Sequence, residues 1–229
     1  NGNDVLDVGE VSMLTDAGGN YDFDNVGPGT LRIREVQPAG TIRTTANPAD
    51  IVISSGSIIS GVLLGNFRLV SLGGLKFNDL NGNAIRDAND TGVPGVTIFL
   101  DDNGNDVLDA GEVSTVTDAN GNYTFPNVGP GTFRIREVQP AETMRTTANP
   151  ADITTTSSNN ISGVLFGNFG LTSISGLKFN DLNGNGIRDT NDTGVPGVTI
   201  FLDGNGNDVL DVGEVSMLTD AGGNYDFDN

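Results

Sequence analysis

Residues 131–141 read GTFRIREVQPA, and residues 29–39 read GTLRIREVQPA. Within the first stretch, Thr132–Val138 alternates strictly, with Phe133, Ile135 and Glu137 on one face and two arginines on the other. A period of two residues is typical of a half-buried β-strand. The fold is therefore predicted to contain the same strand twice, at positions 102 residues apart.

The repeat extends beyond this strand. The segment GLKFNDLNGN begins at Gly74 and again at Gly176, with the same offset and with no insertion or deletion between the copies. We therefore divide the chain into the later part of one unit (1–73), a complete unit (74–175) and the earlier part of a third unit (176–229). A unit of about 100 residues is large enough to have its own core.

Short alternating runs separated by turn residues fill the complete unit. The predicted strands are Gly74–Asn78, Val96–Leu100, Val113–Thr117, Tyr123–Pro126, Thr132–Val138, Asp152–Thr156 and Ile161–Phe169. Seven short strands of this kind predict an all-β fold, a tandem array of antiparallel β-sandwiches. No segment sustains a helical period, so a helix–loop–helix calcium module is excluded.

Acidic loops lie between these strands, and Asp101–Glu112 (DDNGNDVLDAGE) is the clearest of them. Its oxygen-bearing side chains occupy loop positions 1, 3, 5, 9 and 12, and an apolar residue at position 7 offers its carbonyl. This is the ligand spacing of an EF-hand loop for Ca²⁺. Asp106 replaces the usual glycine at position 6, which predicts some backbone strain.

The same spacing recurs along the chain, so we predict four complete calcium loops and one partial loop. The ligands of the complete loops are Asp79, Asn81, Asn83, Ile85, Asp87 and Asp90; Asp101, Asn103, Asn105, Val107, Asp109 and Glu112; Asp181, Asn183, Asn185, Ile187, Asp189 and Asp192; and Asp203, Asn205, Asn207, Val209, Asp211 and Glu214. The partial loop contributes Asn1, Asn3, Val5, Asp7 and Glu10. The segment TDANGNY at 117–123 begins in a similar way, but no acidic residue closes it, and we interpret it as a turn.

Composition limits the possible functions. The formal net charge of −19 disfavours binding to nucleic acid or an anionic membrane surface. The 229 residues include no Cys, His or Trp and no apolar run long enough to span a bilayer. Without His or Cys, nucleophilic triads cannot form, so we predict that the protein is not an enzyme. A pair of catalytic carboxylates stays open as a minor alternative.

The motifs together resemble a known family. ISGLKFNDLNGNGIRD, GVPGVTIFLDDNGNDVLDAGE, TDANGNYTFPNVGPGTFRIREVQPA and GVLFGNFG are similar to the SdrD B-like repeat, the calcium-binding B domain of serine–aspartate repeat surface proteins. That family is related to Cna B-like domains. The resemblance implies a prealbumin-like or immunoglobulin-like sandwich, an extracellular or cell-surface location, and a stalk role with calcium as the stiffening ion.

Some Cna B-like domains also form an isopeptide bond between a lysine of the first strand and an asparagine of the last, assisted by a glutamate. Lys76, Asn168 and Glu137 have the corresponding chain order. Alternation in GLKFN places Leu75 and Phe77 on the face opposite Lys76. If the apolar face is the core, Lys76 faces solvent and no bond is expected.

We therefore expect a calcium-stabilised segment of an extracellular tandem-repeat stalk or fibre. The alternative is an adhesin module that binds an extracellular-matrix or cell-surface ligand. Residues 205–229 are identical to residues 1–25, whereas residues 103–127 match at only 19 of the 25 positions. This suggests two alternating unit types. We expect the partner to be the chain itself, head to tail, in a longer array or filament.

Overall fold

The computed structural model describes residues 2–228, and all regular elements within this range are β-strands. The earlier half-unit contains β1 (Gly29–Leu31), β2 (Thr41–Arg43), β3 (Ile51–Ile53) and β4 (Asn66–Arg68). The complete unit contains β5 (Val70–Asn78), β6 (Thr97–Leu100), β7 (Ser114–Val116), β8 (Asn122–Val128), β9 (Thr132–Phe133), β10 (Ile135–Glu137), β11 (Thr143–Arg145), β12 (Ile153–Thr154) and β13 (Ile161–Gly170). The later half-unit contains β14 (Ile174–Leu177), β15 (Thr199–Phe201), β16 (Ser216–Leu218) and β17 (Asn224–Phe227). The three parts of the chain are thus defined by their strands, the earlier half-unit as β1–β4, the complete unit as β5–β13 and the later half-unit as β14–β17, with β5 and β14 beginning a few residues before the predicted boundaries at 74 and 176.

Two layers of strands form the complete unit. One layer contains a four-stranded sheet in the order β11-β13-β5-β8, and the other contains a three-stranded sheet in the order β10-β6-β7. Strands β12 and β9 form a separate two-stranded sheet. A single apolar cluster includes Leu72 and Phe166 from the first layer and Ile98 and Ile135 from the second, all fully buried. The predicted all-β sandwich is confirmed. Within residues 2–228, no helix is long and apolar enough to cross a membrane.

One strand pair departs from the predicted antiparallel arrangement. The first strand of the unit, β5, lies beside the last, β13, and the two run parallel, with Val164 opposite Gly74 and Asn168 opposite Asn78. All the other strand pairs of the described residues are antiparallel. Because the first and last strands point the same way, the chain enters the unit at one end and leaves at the other. This is the connection that a linear array requires.

Most of the strands predicted from the alternating sequence are present in the structure, but their first and last residues differ. Strand β5 begins at Val70, four residues before the predicted Gly74, because Val70 is buried and pairs with Val128. The predicted strand Thr132–Val138 is divided between β9 and β10, which pair with different strands. Strand β11 was not predicted, because its sequence TMR is short and its outward side chain, Met144, is apolar.

The two half-units keep the local structure of the complete unit without its core. Leu72 is fully buried in the complete unit, whereas its counterpart Ile174 is 53% exposed. In the complete unit, β13 covers the edge of β5, and within the described residues of the later half-unit β14 pairs with β17 alone. The conformation of each strand is therefore set locally, and burial depends on having all parts of the unit.

We expect Leu72→Ala to lower the free energy of unfolding by about 2–5 kcal/mol, since it removes buried methyl groups and leaves a cavity. The matched substitution one repeat later, Ile174→Ala, should cost less than about 1 kcal/mol, because that side chain is largely exposed. Urea unfolding followed by circular dichroism measures both values. Equal losses at the two positions would contradict the assignment of the core to the complete unit.

Candidate calcium loops and a buried lysine site

The loop at residues 79–90 follows β5 directly, and hydrogen bonds curl it on itself. The side-chain amides of Asn81 and Asn83 both donate to Oδ2 of Asp87, each at 2.9 Å. Asp79 is fully buried and its carboxylate accepts the backbone N–H groups of Asn83 and Ala84. The predicted ligands at positions 1, 3, 5 and 9 are thus brought together around one turn. Ile85 at position 7 turns its side chain to solvent, with 62% exposed.

Position 12 closes each loop. In the loop at 101–112, the carboxylate of Glu112 accepts the N–H of Asp102 on one oxygen and that of Asp109 on the other, both at 2.9 Å. Asp90 makes the equivalent two bonds, to Leu80 and Asp87, in the first loop. Each closing carboxylate therefore ties the two ends of its loop together.

The half-units form their loops in the same way. Asn183 and Asn185 donate to Asp189 at 2.7 and 3.0 Å, and Asn205 and Asn207 donate to Asp211 at 2.7 and 2.8 Å. In the partial loop, Asn3 donates to Asp7, and Glu10 accepts the N–H of Asp7. Asn1 lies outside the described residues. The loop conformation is therefore independent of the sandwich core.

Left-handed backbone at position 6 is required in all of these loops. Ala84, Asp106 and Asp208 have φ of 64°, 60° and 61°, where Gly186 has 76°. The strain predicted for Asp106 is thus present, and Ala84 adopts the same turn despite its Cβ. The carboxylate of Asp106 forms a close ion pair with the guanidinium of Arg136, a residue of β10. Asp106 thereby anchors the loop to the sandwich, a role that the ligand spacing did not indicate.

Backbone N–H groups also set the charge state at position 1. The N–H of Asp208 donates to Asp203 at 2.8 Å and lowers the pKa of that carboxyl below its usual value. The N–H of Gly186 does the same for the pKa of Asp181, at 2.7 Å. A carboxylate held ionised in this way is suited to binding a cation.

The residue types of the loops fit Ca²⁺, which prefers carboxylate, amide and carbonyl oxygens. Within residues 2–228, no three side chains of His, Cys, Asp or Glu come close enough to hold a metal on their own. The Asn side chains present nitrogen, rather than oxygen, to the position-9 carboxylate. Ca²⁺ binding would therefore need these amides to turn their oxygens inward.

The segment 117–123 is a turn, as predicted. Oδ1 of Asp118 accepts the N–H groups of Asn120 and Asn122, both at 2.8 Å, and the side-chain amide of Asn122 donates to the same carboxylate. These bonds form an Asx-type turn between β7 and β8.

A second candidate site lies inside the sandwich. Lys76 on β5 and Glu137 on β10 are both fully buried in their side chains, with Nζ and Oε2 3.6 Å apart. Asn168 on β13 is 3% exposed. Oε2 of Glu137 and Oδ1 of Asn168 are buried without a hydrogen-bond partner, while Oε1 of Glu137 accepts from Arg145 at 3.1 Å. Burial lowers the pKa of Lys76, against the opposing effect of Glu137.

The prediction that Lys76 faces solvent is therefore wrong. Alternation did place Lys76 opposite Leu75 and Phe77, but Lys76 lies on the same face as Leu72, which points into the core. Phe77 is buried on the other face because the last strand covers it, with its ring against Gly167. A central strand is covered on both faces, so apolar residues alone do not identify the core side.

The half-units divide this site between them. In the earlier half-unit, Asn66 donates to Oε2 of Glu35 at 2.7 Å, and Oδ1 of Asn66 is buried without a partner. In the later half-unit, the counterpart of Lys76 is Lys178, which is exposed and donates to its neighbour's carbonyl at 3.4 Å. Glu35 and Asn66 are the counterparts of Glu137 and Asn168.

These features define the complete unit as a β-sandwich repeat domain, with first and last strands side by side and acidic loops after its strand ends. Residues 70–166 match the SdrD B-like domain family, and the complete unit is an SdrD B-like domain. The resemblance read from the motifs is confirmed.

Relatives match most of the chain but are much longer. Serine-aspartate repeat-containing protein D of Staphylococcus aureus is 27% identical over 94% of this chain and 18% of its own length. Colossin-A of Dictyostelium discoideum is 28% identical over 95% of this chain and 2% of its own length. Among solved structures, a streptococcal ancillary pilin aligns with a TM-score of 0.38 and 16% identity, covering 88% of this chain and 63% of the pilin.

We expect Ala84→Gly to raise the free energy of unfolding by about 0.5–1 kcal/mol, because glycine adopts the left-handed turn without a Cβ clash. The reverse change at the matching position of the later half-unit, Gly186→Ala, should lower stability by a similar amount. Urea unfolding of both variants checks the sign. A loss of stability on Ala84→Gly would mean that position 6 carries no strain.

Proposed function

We propose that this chain is a calcium-stabilised structural segment of an extracellular tandem-repeat stalk or fibre. The observation that carries the proposal is the parallel pairing of β5 with β13, which makes the chain enter and leave each unit at opposite ends. Units joined in this way extend along a line. The surface-protein relatives support an extracellular location. We propose a structural role rather than a catalytic or ligand-binding one.

Calcium is the proposed cofactor, and the position of the first loop explains how it would stiffen the array. The N–H of Asp79 donates to the carbonyl of Asn168 at 2.9 Å, so this loop begins beside the strand that leaves the unit. A cation there would bind carboxylates next to the exit, just before the next unit. Extracellular modules of this kind bind Ca²⁺ with dissociation constants of about 10⁻⁴–10⁻³ M.

Asp101→Asn tests calcium binding, because it removes the charge at position 1 while keeping an acceptor for the loop N–H groups. For a site with a dissociation constant near 10⁻⁴ M, free Ca²⁺ at about a hundred times that concentration should stabilise the folded protein by about 2.7 kcal/mol. We expect most of this increment to be lost in the variant. Thermal unfolding with Ca²⁺ and with EDTA measures the increment directly.

The matched control is Asp102→Asn, which changes the charge equally at the exposed position 2 of the same loop. This variant should keep the full calcium increment. An equal increment in wild type and Asp101→Asn, or none in wild type, would remove calcium from the proposal. Stability in EDTA alone is not decisive, since Asp101 also accepts backbone N–H groups.

We also propose that Lys76 and Asn168 are joined by an isopeptide bond. The unpartnered oxygens of Glu137 and Asn168 beside a buried lysine favour it, because a buried charge pair without full hydrogen bonding is costly. The neutral Nζ would attack Cγ of Asn168, and Glu137 would carry a proton from the amine to the leaving group. The C–N bond of the amide breaks, ammonia leaves, and no oxidant is needed.

The bond would link the first strand to the last and close the loop between Lys76 and Asn168, about 90 residues long. By the loop-closure argument, a cross-link of that span adds about 4–5 kcal/mol to the free energy of unfolding. It would fasten together the two strands that transmit force between the entry and the exit of the unit. Stalks that bear tension would benefit from such a link.

We expect the intact protein to be about 17 Da lighter than its sequence mass, through the loss of one ammonia in this nucleophilic step. Lys76→Ala and Asn168→Ala should restore the full mass, and Glu137→Gln should delay the loss. Mass spectrometry of the intact protein and of its digest gives the result. Lys178→Ala is the control, because its exposed amine lacks these partners, and it should keep the deficit. The full sequence mass in wild type would disprove the bond.

The chain's proposed partner is itself. The later half-unit carries a lysine, and the earlier half-unit carries the matching glutamate and asparagine. In a longer array or in chains joined head to tail, these residues would come from successive units. The entry and exit of the chain at opposite ends of the complete unit support this arrangement.

A further inference from the structure

We propose that the loop Thr156–Asn160 of the complete unit is a docking surface for the preceding repeat, and that it holds the junction between the two rigid without calcium. The junction is very short. Strand β4 of the earlier half-unit ends at Arg68, and β5 of the complete unit begins at Val70, so Leu69 alone separates them.

The loop binds the backbone on both sides of Leu69. The N–H of Arg68 donates to Oγ of Ser157, and the N–H of Ser71 donates to Oδ1 of Asn160, both at 2.9 Å. The N–H of Ser158 points back to the carbonyl of Arg68 at 3.5 Å. The two side-chain bonds therefore hold the last residue of one unit and the first strand of the next to a single loop.

Further contacts hold the preceding half-unit against the junction and the complete unit. The N–H of Leu69 donates to the carbonyl of Gly40 in the preceding half-unit at 2.9 Å. Phe67, also from the preceding half-unit, is 8% exposed and belongs to the same apolar cluster as Val70. Ile42 packs close to Gly129, where a Cβ would lie 3.1 Å from its terminal methyl carbon. The junction thus has no backbone segment free to act as a hinge.

The surface differs between the two unit types. The counterparts of Ser157 and Asn160 in the earlier half-unit are Ser55 and Ile58, and isoleucine cannot accept a hydrogen bond. Ile58 is 93% exposed. At the next junction, Val70 is replaced by Thr172 and β14 begins only at Ile174. The array would therefore alternate between junctions with and without the Asn160 bond.

Paired spin labels test the proposal, and the absence of cysteine makes specific labelling simple. Ala39→Cys and Ala141→Cys place labels at equivalent exposed positions of two successive units, and Ala39 lies next to Gly40, which is bonded to Leu69 at the junction. We expect one narrow distance distribution in Ca²⁺ and also in EDTA. Adding Asn160→Ile, alone or with Ser157→Ala, should broaden this distance distribution. Each lost hydrogen bond should raise the fraction of molecules in which the loop has left the junction by about fivefold.

Asn159→Ile is the matched control, because it introduces the same side chain next door without removing either acceptor. It should leave the distribution narrow, and urea unfolding should show that all variants fold. A narrow distribution in the double variant, or equal broadening in the control, would overturn the proposal. Broadening of the wild type in EDTA would also overturn it. Calcium binding is tested separately, by comparing how much Ca²⁺ stabilises the wild type and Asp101→Asn against thermal unfolding.

Discussion

The parallel contact between β5 and β13 is the constraint on which the rest of the molecule depends. A sandwich of antiparallel hairpins can return its chain to the starting end, whereas this pairing sends it out at the far end. The same contact covers the edge of β5 and places the ring of Phe77 against Gly167, while Lys76 on the opposite face lies beside Glu137 of the second sheet. It also brings the loop at Asp79 beside the exit strand. Connectivity, the buried lysine site and the position of a candidate calcium loop therefore have one origin.

Local and global parts of the structure are separable in this chain, because it contains the same segments in complete and incomplete units. The four complete acidic loops share the bonds from the asparagines at positions 3 and 5 to the carboxylate at position 9, since each loop is closed by its own side chains. The core residues behave differently: Leu72 is buried and Ile174 is exposed. The lysine site is likewise assembled only when β5, β10 and β13 are all present. The conformation of each loop depends on its own twelve residues, whereas the core forms only when the whole unit is present.

Two means of stiffening are then available to an array of such units. Calcium would act at the exit of each unit through the loop at 79–90, by binding charges that otherwise repel. The loop Thr156–Asn160 acts at the entry, with neutral side chains bonded to backbone N–H groups. The first means depends on the ion and the second does not. Their combination would let stiffness vary along the array with unit type as well as with calcium.

The sequence by itself determined the repeat, the all-β class, most strand positions and the loop ligand spacing, because each of these follows from periodicity within a few residues. Even the left-handed turn at Asp106 could be anticipated from its loop position. The direction of Lys76 could not, because alternation separates two faces without saying which one is the interior of a central strand. The ion pair of Asp106 with Arg136, the bonds of Ser157 and Asn160 across the junction, and the parallel β5–β13 contact join residues far apart in the chain. Only the tertiary structure decided these, because they depend on which strands become neighbours when the two sheets close on the core.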